Sequence, residues 1–148
     1  MKKILVLNGP NLNLLGKREP DIYGSNTLEY LVEHLKKLAP SYDAVVNAFQ
    51  SNHEGELIDY IHKADEENYT GIILNPGAFT HYSYAIRDAI ASINVPVIEV
   101  HISNVHAREA FRRDSITAPV TVGQIVGLGF FGYELALKAL TEYIKRGE

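Results

Sequence analysis

Five short apolar runs, each leading into a polar turn and then a segment of helical spacing, constrain this chain more than any other feature. The runs are Ile4-Leu5-Val6-Leu7, residues 44–49, Gly71-Ile72-Ile73-Leu74, residues 95–102 and residues 120–126. Short, near-continuous apolar runs suit strands covered on both faces, the setting of a parallel sheet. Between the first two runs, Leu28, Leu31, Val32, Leu35 and Leu38 form the stripe of an amphipathic helix. Asn26-Thr27-Leu28-Glu29 reads as its capping box with Asn26 at the N-cap, and Pro40 stops it. Leu57, Ile58, Ile61 and Ala64 mark a second helix, and 83–92 a third, with Tyr84, Ala85, Ala89 and Ile90 at helical spacing. Residues 107–113 read as a short basic helix. Residues 132–146 close the chain as a helix with Leu135, Ala136, Ala139, Leu140 and Tyr143 facing inward.

Strand and helix in alternation predict right-handed crossovers and a three-layer α/β sandwich. Five strands in 148 residues suit a five-stranded parallel sheet in the flavodoxin-like order 2-1-3-4-5, as a single domain spanning 1–148. The formal charge of −4 gives no electrostatic reason to expect nucleic acid. The chain has no cysteine, so disulfides and thiolate metal sites are impossible, and a reducing compartment fits. Met1-Lys2-Lys3 mimics the start of a signal peptide, but the apolar run stops after Leu7, short of the roughly 7–15 residues needed. No apolar stretch is long enough for a membrane span. The expectation is a soluble cytoplasmic protein.

In a sheet of this order, ligands bind beyond the carboxyl ends of the strands, near the switch between strands 1 and 3. The connection after strand 1, residues 8–25, runs for about 18 residues, against about 2–6 for an ordinary strand-to-helix loop. A loop of that length at that edge suggests a binding loop with a lid over an active site. It carries Asn8, Asn11, Asn13, Arg18 and Tyr23 between turn-forming glycines. Strand 2 ends in His53 and Glu54, and strand 3 ends in Asn75 with His81 six residues on. Glu99, His101 and Ser103 alternate at the end of strand 4, so their side chains share one face. Arg108, Arg112 and Arg113 follow. Each residue alone has a structural explanation, such as turn-forming for an Asn before Gly or Pro. Their concentration at one edge does not.

Several familiar motifs are absent or misplaced. Gly127-Leu128-Gly129-Phe130-Phe131-Gly132 matches a dinucleotide fingerprint, yet it lies in the last βα unit with no following strand to supply an acidic ribose partner. Close helix packing is its plainer reading. His101 and His106 lack useful metal spacing. There is no nucleophile elbow or acidic cluster for Mg²⁺, and no lysine at an apolar strand end for a Schiff base.

The remaining proton-transfer groups are Tyr23 and His101. A carboxylate beside an imidazole, as Glu99 is to His101, fixes the tautomer and favours the cation that a general acid must be. Tyrosine is a poor base at its ordinary pKa near 10, and a guanidinium such as that of Arg18, brought in by loop closure, can lower it by about 1–3 units. Such a pair suits proton removal next to a carbonyl and expulsion of a hydroxyl as water. Asparagine amides, directly or through an ordered water, would stabilise the enolate oxygen. The alternative is a non-catalytic binding module for a nucleotide, flavin or phosphate, which leaves the Arg18/Tyr23 and Glu99/His101 pairs unexplained.

Five motifs in order resemble type II 3-dehydroquinate dehydratases: residues 8–24, 50–55, 75–81 and 99–112, and Gly127 through Tyr133. The resemblance covers essentially the whole chain. It implies that Tyr23 abstracts the proton next to the ketone with Arg18 holding it as phenolate. Asn11 would help hold the water at the enolate, and His101, oriented by Glu99, would protonate the departing hydroxyl. It further implies that Asn75, His81, Ile102, Ser103 and Arg112 bind the substrate 3-dehydroquinate, with Asp88 donated by a neighbouring subunit. The family implies a cytoplasmic dodecamer built from trimers, working in the shikimate pathway without metal or cofactor.

Overall fold

In a computed structural model, which describes residues 1–17, 21 and 26–147, the apolar runs form one parallel sheet in the order β2-β1-β3-β4-β5. The strands are β1 (Lys2–Asn8), β2 (Ala44–Gln50), β3 (Gly71–Asn75), β4 (Val97–His101) and β5 (Gly123–Val126). β1 pairs with β2 up to Asn8↔Gln50 and with β3 up to Asn8↔Asn75. Asn8, Gln50 and Asn75 therefore end side by side. β4 and β5 finish at His101↔Val126 on the same edge.

Alternate strand residues serve opposite layers. Ile4, Val6, Val46, Ile73, Ile98 and Val100 pack under α1 (Leu28–Leu38) and α4 (Phe131–Gly147), against Leu31, Leu35, Tyr133, Leu137 and Leu140. Leu5, Leu7, Ile72, Leu74 and Val97 face α2 (Glu54–Glu66) and α3 (Tyr84–Ser92), against Leu57, Ile61, Ile86 and Ile90. Each such side chain, fully buried, contributes about 1.5–3 kcal/mol.

The element boundaries differ from expectation in physically simple ways. Thr27, not Asn26, caps α1: its Oγ1 accepts the Tyr30 N–H at 3.2 Å, which puts Glu29 one position too early for a capping box. The chain runs past Leu38 into a 3₁₀ turn, Ala39–Tyr42, with Pro40 in its first turn, where a missing N–H costs nothing. On α3 the inward residues are Ile86, Ala89 and Ile90, while Tyr84 and Ala85 are exposed. On α4 they are Tyr133, Ala136, Leu137, Leu140 and Thr141; Leu135 is half-buried, and Ala139 and Tyr143 are exposed. The expected basic helix at 107–113 is two 3₁₀ turns, Val105–Ala107 and Ala110–Arg113. β5 begins only at Gly123, because Pro119 sits in a preceding 3₁₀ turn, Ala118–Val120.

Three glycines shape the carboxyl edge. Gly9 donates its N–H to the Asn75 carbonyl at 2.8 Å, and a Cβ there would sit 2.7 Å from the Pro76 carbonyl oxygen. Only glycine lets the loop after β1 lie on the loop after β3. Gly127 and Gly129, with φ of +89° and +61°, donate to the carbonyls of His101 and Ile102 and so tie the end of β4 to the turn before α4. A Cβ on Gly132 would make only ordinary 3.5 Å contacts. The glycine run therefore serves a turn rather than close helix packing. No helix among the described residues is long and apolar enough to cross a membrane.

Candidate active site

A cleft of about 180 Å³ opens at the carboxyl ends of β1, β3 and β4. Asn11, Asn75, His81, His101, Ile102, Ser103 and Arg112 all line it. Seven of the expected site residues, drawn from three separate loops, thus meet around one small volume. It suits a small metabolite rather than a drug-sized ligand.

The electrostatic centre is the pair at the end of β4. His101 Nε2 lies 2.8 Å from Glu99 Oε2, and Glu99 has no solvent exposure. Burial pushes the Glu99 carboxyl up, but hydrogen bonding and charge from His101, with hydrogen bonds from Thr117 and Gln124, more than offset it. The net effect holds Glu99 below its ordinary value of 4.5, so it is a carboxylate. A carboxylate only accepts hydrogen bonds, so Nε2 carries a proton. Nδ1 is then the nitrogen left for a ligand, and among the described residues it makes no hydrogen bond. Period-2 geometry in a strand places the carboxylate directly behind the imidazole.

The opposite wall carries cations and donors. Arg112 donates from Nε to Glu109 Oε1 at 3.2 Å, and its guanidinium lies 4.7 Å above the Phe111 ring. Arg108 also lines the cleft and donates from Nη1 to Ser103 Oγ at 3.2 Å. His81 donates from Nδ1 to the Asp114 carbonyl at 2.7 Å, and its ring meets Phe111 edge-on at 5.6 Å. That bond fixes the tautomer with Nε2 as the remaining ring nitrogen. Two guanidiniums, an imidazole and the Ser103 hydroxyl provide complementary partners for a carboxylate and hydroxyls.

Asn75 is anchored by a buried amide–phenol chain. Asn75 Nδ2 donates to the Tyr133 hydroxyl at 2.8 Å, which donates to Asn8 Oδ1 at 2.7 Å. Asn75 Oδ1 accepts the Gly77 N–H at 3.1 Å, which sets the turn beside His81. Burial raises the Tyr133 hydroxyl well above its usual range, against the lowering effect of Asn75, so it stays a neutral phenol. Asn11 sits at φ 69°, a left-handed conformation that asparagine tolerates, and donates its N–H to Asn52 Oδ1 at 3.0 Å. Gln50 supports the same loop by donating to the Gly9 carbonyl at 3.1 Å.

Asp88 is exposed on α3 and does not line the cleft. Arg18 and Tyr23 lie outside the described residues, so the expected base and its cation have no geometry here. Sequence reasoning named Arg108 among the edge arginines and Tyr133 at the end of a motif but gave neither a role, and it left out the hydroxyls around Glu99. Tyr133 carried no signal beyond being a helical aromatic. Arg108 precedes the turn Ala110–Arg113 that carries Arg112. Among the described residues, no group of three or more His, Cys, Asp or Glu is placed to hold a metal ion.

Fold and site together define a class: a flavodoxin-like α/β protein with a small cleft at its strand ends, lined by a carboxylate-backed histidine and two arginines. A sequence model of the family described as dehydroquinase class II matches residues 2–141. The chain is 66% identical over 146 residues to a 3-dehydroquinate dehydratase of Halalkalibacterium halodurans, covering 99% of this chain and all of that one. It is 65% identical over 148 residues to one of Bacillus cytotoxicus, covering 100% and 99% of the two chains. The crystal structure of a type II dehydroquinase from Butyrivibrio crossotus superposes with a TM-score of 0.92 at 55% identity, covering 94% of this chain and 97% of that one. A 3-dehydroquinate dehydratase-like protein from Bifidobacterium longum is more distant, with a TM-score of 0.74 at 33% identity over 98% and 99% of the two chains. The chain belongs to the class II dehydroquinase family.

Proposed function

We propose that this protein is a hydro-lyase that removes water from 3-dehydroquinate to give 3-dehydroshikimate, in the shikimate pathway. The observation that carries this reading is His101, backed on Nε2 by the Glu99 carboxylate, in a cleft walled by Arg108 and Arg112. A Tyr23 phenolate, held by Arg18, takes the proton on the carbon next to the ketone. The electron pair moves onto the ketone oxygen, where an ordered water held by Asn11 stabilises the enolate. The enolate then collapses, the bond to the β-hydroxyl breaks, and that oxygen leaves as water with the proton from His101 Nδ1. Exchange with solvent returns a proton to His101 and removes one from Tyr23. Asn75, His81, Ile102, Ser103 and Arg112 hold the carboxylate and hydroxyls.

The loop 8–25 divides in this reading into a fixed floor, Asn8 to Asn13, and a lid carrying Arg18 and Tyr23. The reaction needs no metal or cofactor, since every charge in it is met by a side chain or water. Purified protein given 3-dehydroquinate and a chelator is expected to produce the ultraviolet absorbance of a conjugated enone. Folded protein that produces no such rise would overturn the reading. The same reading makes the enzyme a cytoplasmic dodecamer of trimers, with Asp88 offered to a neighbour's cleft. Light scattering that finds monomers at assay concentration would contradict that assembly.

A further inference from the structure

Glu99 collects more hydrogen bonds than orienting one imidazole requires. Its Oε1 accepts from the Thr117 hydroxyl. Its Oε2 accepts from Thr80 Oγ1 and Ser115 Oγ, both at 3.1 Å, and from Gln124 Nε2 at 2.5 Å, besides His101. The three hydroxyls also contact one another, Thr80 to Ser115 at 2.6 Å and Thr80 to Thr117 at 2.8 Å. These donors come from three places: the turn after β3, the segment 115–117 and the edge strand β5. The segment is itself anchored, because the Ile116 N–H donates to the Thr80 carbonyl at 2.8 Å and Arg87 Nη1 donates to the Ile116 carbonyl at 2.8 Å. One residue earlier, the Asp114 carbonyl receives His81 Nδ1. The strap 114–117 thus bonds His81 directly and reaches His101 through the Glu99 carboxylate.

Each donor spreads the negative charge of Glu99 and reduces what remains to stabilise a charged imidazole. A buried carboxylate stripped of these neutral donors would attract a charged imidazole more strongly and make it the weaker acid. A carboxylate crowded by neutral donors orients the ring while leaving it a competent acid. We propose that Thr117, together with Thr80, Ser115 and Gln124, forms a positioning shell that sets the charge Glu99 presents to His101 and so sets the acid strength of His101 in the elimination step. The inference rests on the proposed role of His101 as the general acid. The other charged or titratable groups sharing its cleft, among the described residues, are His81 from the turn after β3 and Arg108 and Arg112 from the wall after β4. None of these touches Glu99, so substitutions in the shell act on His101 through the carboxylate.

The test is an NMR titration of the histidine rings in the intact protein, with His101 assigned by comparison with His101→Gln. Thr117→Val removes a donor at nearly constant volume, and is expected to raise the His101 titration midpoint by about 0.5–1 unit. Gln124→Leu removes a donor from the other side of the carboxylate and is expected to shift it the same way, which keeps the test available if Thr117→Val fails to fold. Thr117→Ser should restore the wild-type midpoint. The alkaline limb of the turnover profile should move with it in both variants, with kcat lowered severalfold and KM little changed. A folded Thr117→Val or Gln124→Leu protein whose midpoint stays put or falls would overturn the proposal, even if its melting temperature drops. The midpoint is read without substrate, so this result stands apart from any failure of the dehydratase reading itself.

Discussion

Tyr23→Phe is expected to lower turnover by about 10³-fold or more while leaving the fold intact. The substitution removes one oxygen from an aromatic side chain in the sequence between β1 and α1, and with it the only base this mechanism provides. A thousandfold loss corresponds to about 4 kcal/mol of transition-state stabilisation. That energy belongs to proton abstraction and not to ground-state binding, so kcat should fall while KM and the affinity for a substrate analogue change little. The melting temperature should be unchanged, because the substitution keeps the aromatic ring and removes only a hydroxyl. Near-normal turnover in Tyr23→Phe would remove the tyrosine from the mechanism. A loss of binding equal to the loss of turnover would make it a substrate-binding group instead.

Glu99→Gln is expected to damage both stability and turnover. The side chain is wholly buried and surrounded by donors from Thr80, His101, Ser115, Thr117 and Gln124. A glutamine there offers one accepting oxygen and turns two N–H bonds toward groups that are themselves donors. Buried donors left without acceptors cost about 1–3 kcal/mol each, so a loss of about 3 kcal/mol is expected in denaturant unfolding at neutral pH. Turnover should fall by about 10²-fold or more, because the imidazole loses both its orientation and the charge behind it. The effect has a pH signature. The folded protein holds Glu99 below 4.5, so its carboxylate contributes stability above the unfolded value, and that contribution is lost as pH falls through the folded value. The stability gap between wild type and Glu99→Gln should therefore be full at neutral pH and narrow as pH drops below about 4.5. A gap that stays constant down to pH 3 would mean that the carboxylate contributes nothing by its ionisation.

Much of this architecture was legible from the sequence because apolar runs that short leave few alternatives to a parallel sheet. The strand order predicted from them is the observed one, and it brings Asn75 and His101 to one edge. What sequence patterning could not fix was helix phase where small and amphipathic residues blur the stripe. On α4, alanines and tyrosines occur on both faces, and packing against β3 and β4 selects Tyr133, Leu137 and Leu140 over Leu135 and Tyr143. The cap of α1 moved by one residue because Asn26 and Thr27 are both competent, and only the observed N–H geometry separates them. In the site, Glu99 and His101 were visible because a strand's period of two is strict. The hydroxyls behind Glu99 were not, since Thr80, Ser115 and Thr117 are ordinary residues 16–19 positions away, joined only by folding.

The most direct test of the central claim is a crystal structure with a non-eliminating analogue of 3-dehydroquinate bound. The account predicts that the analogue lies between Tyr23 and His101, with the Tyr23 oxygen facing the carbon next to the ketone. His101 Nδ1 should sit within hydrogen-bonding distance of the hydroxyl that leaves, with Nε2 still on Glu99 and the carboxylate beside Arg112. An analogue seated elsewhere, or His101 turned so that Nδ1 faces away from that hydroxyl, would contradict it.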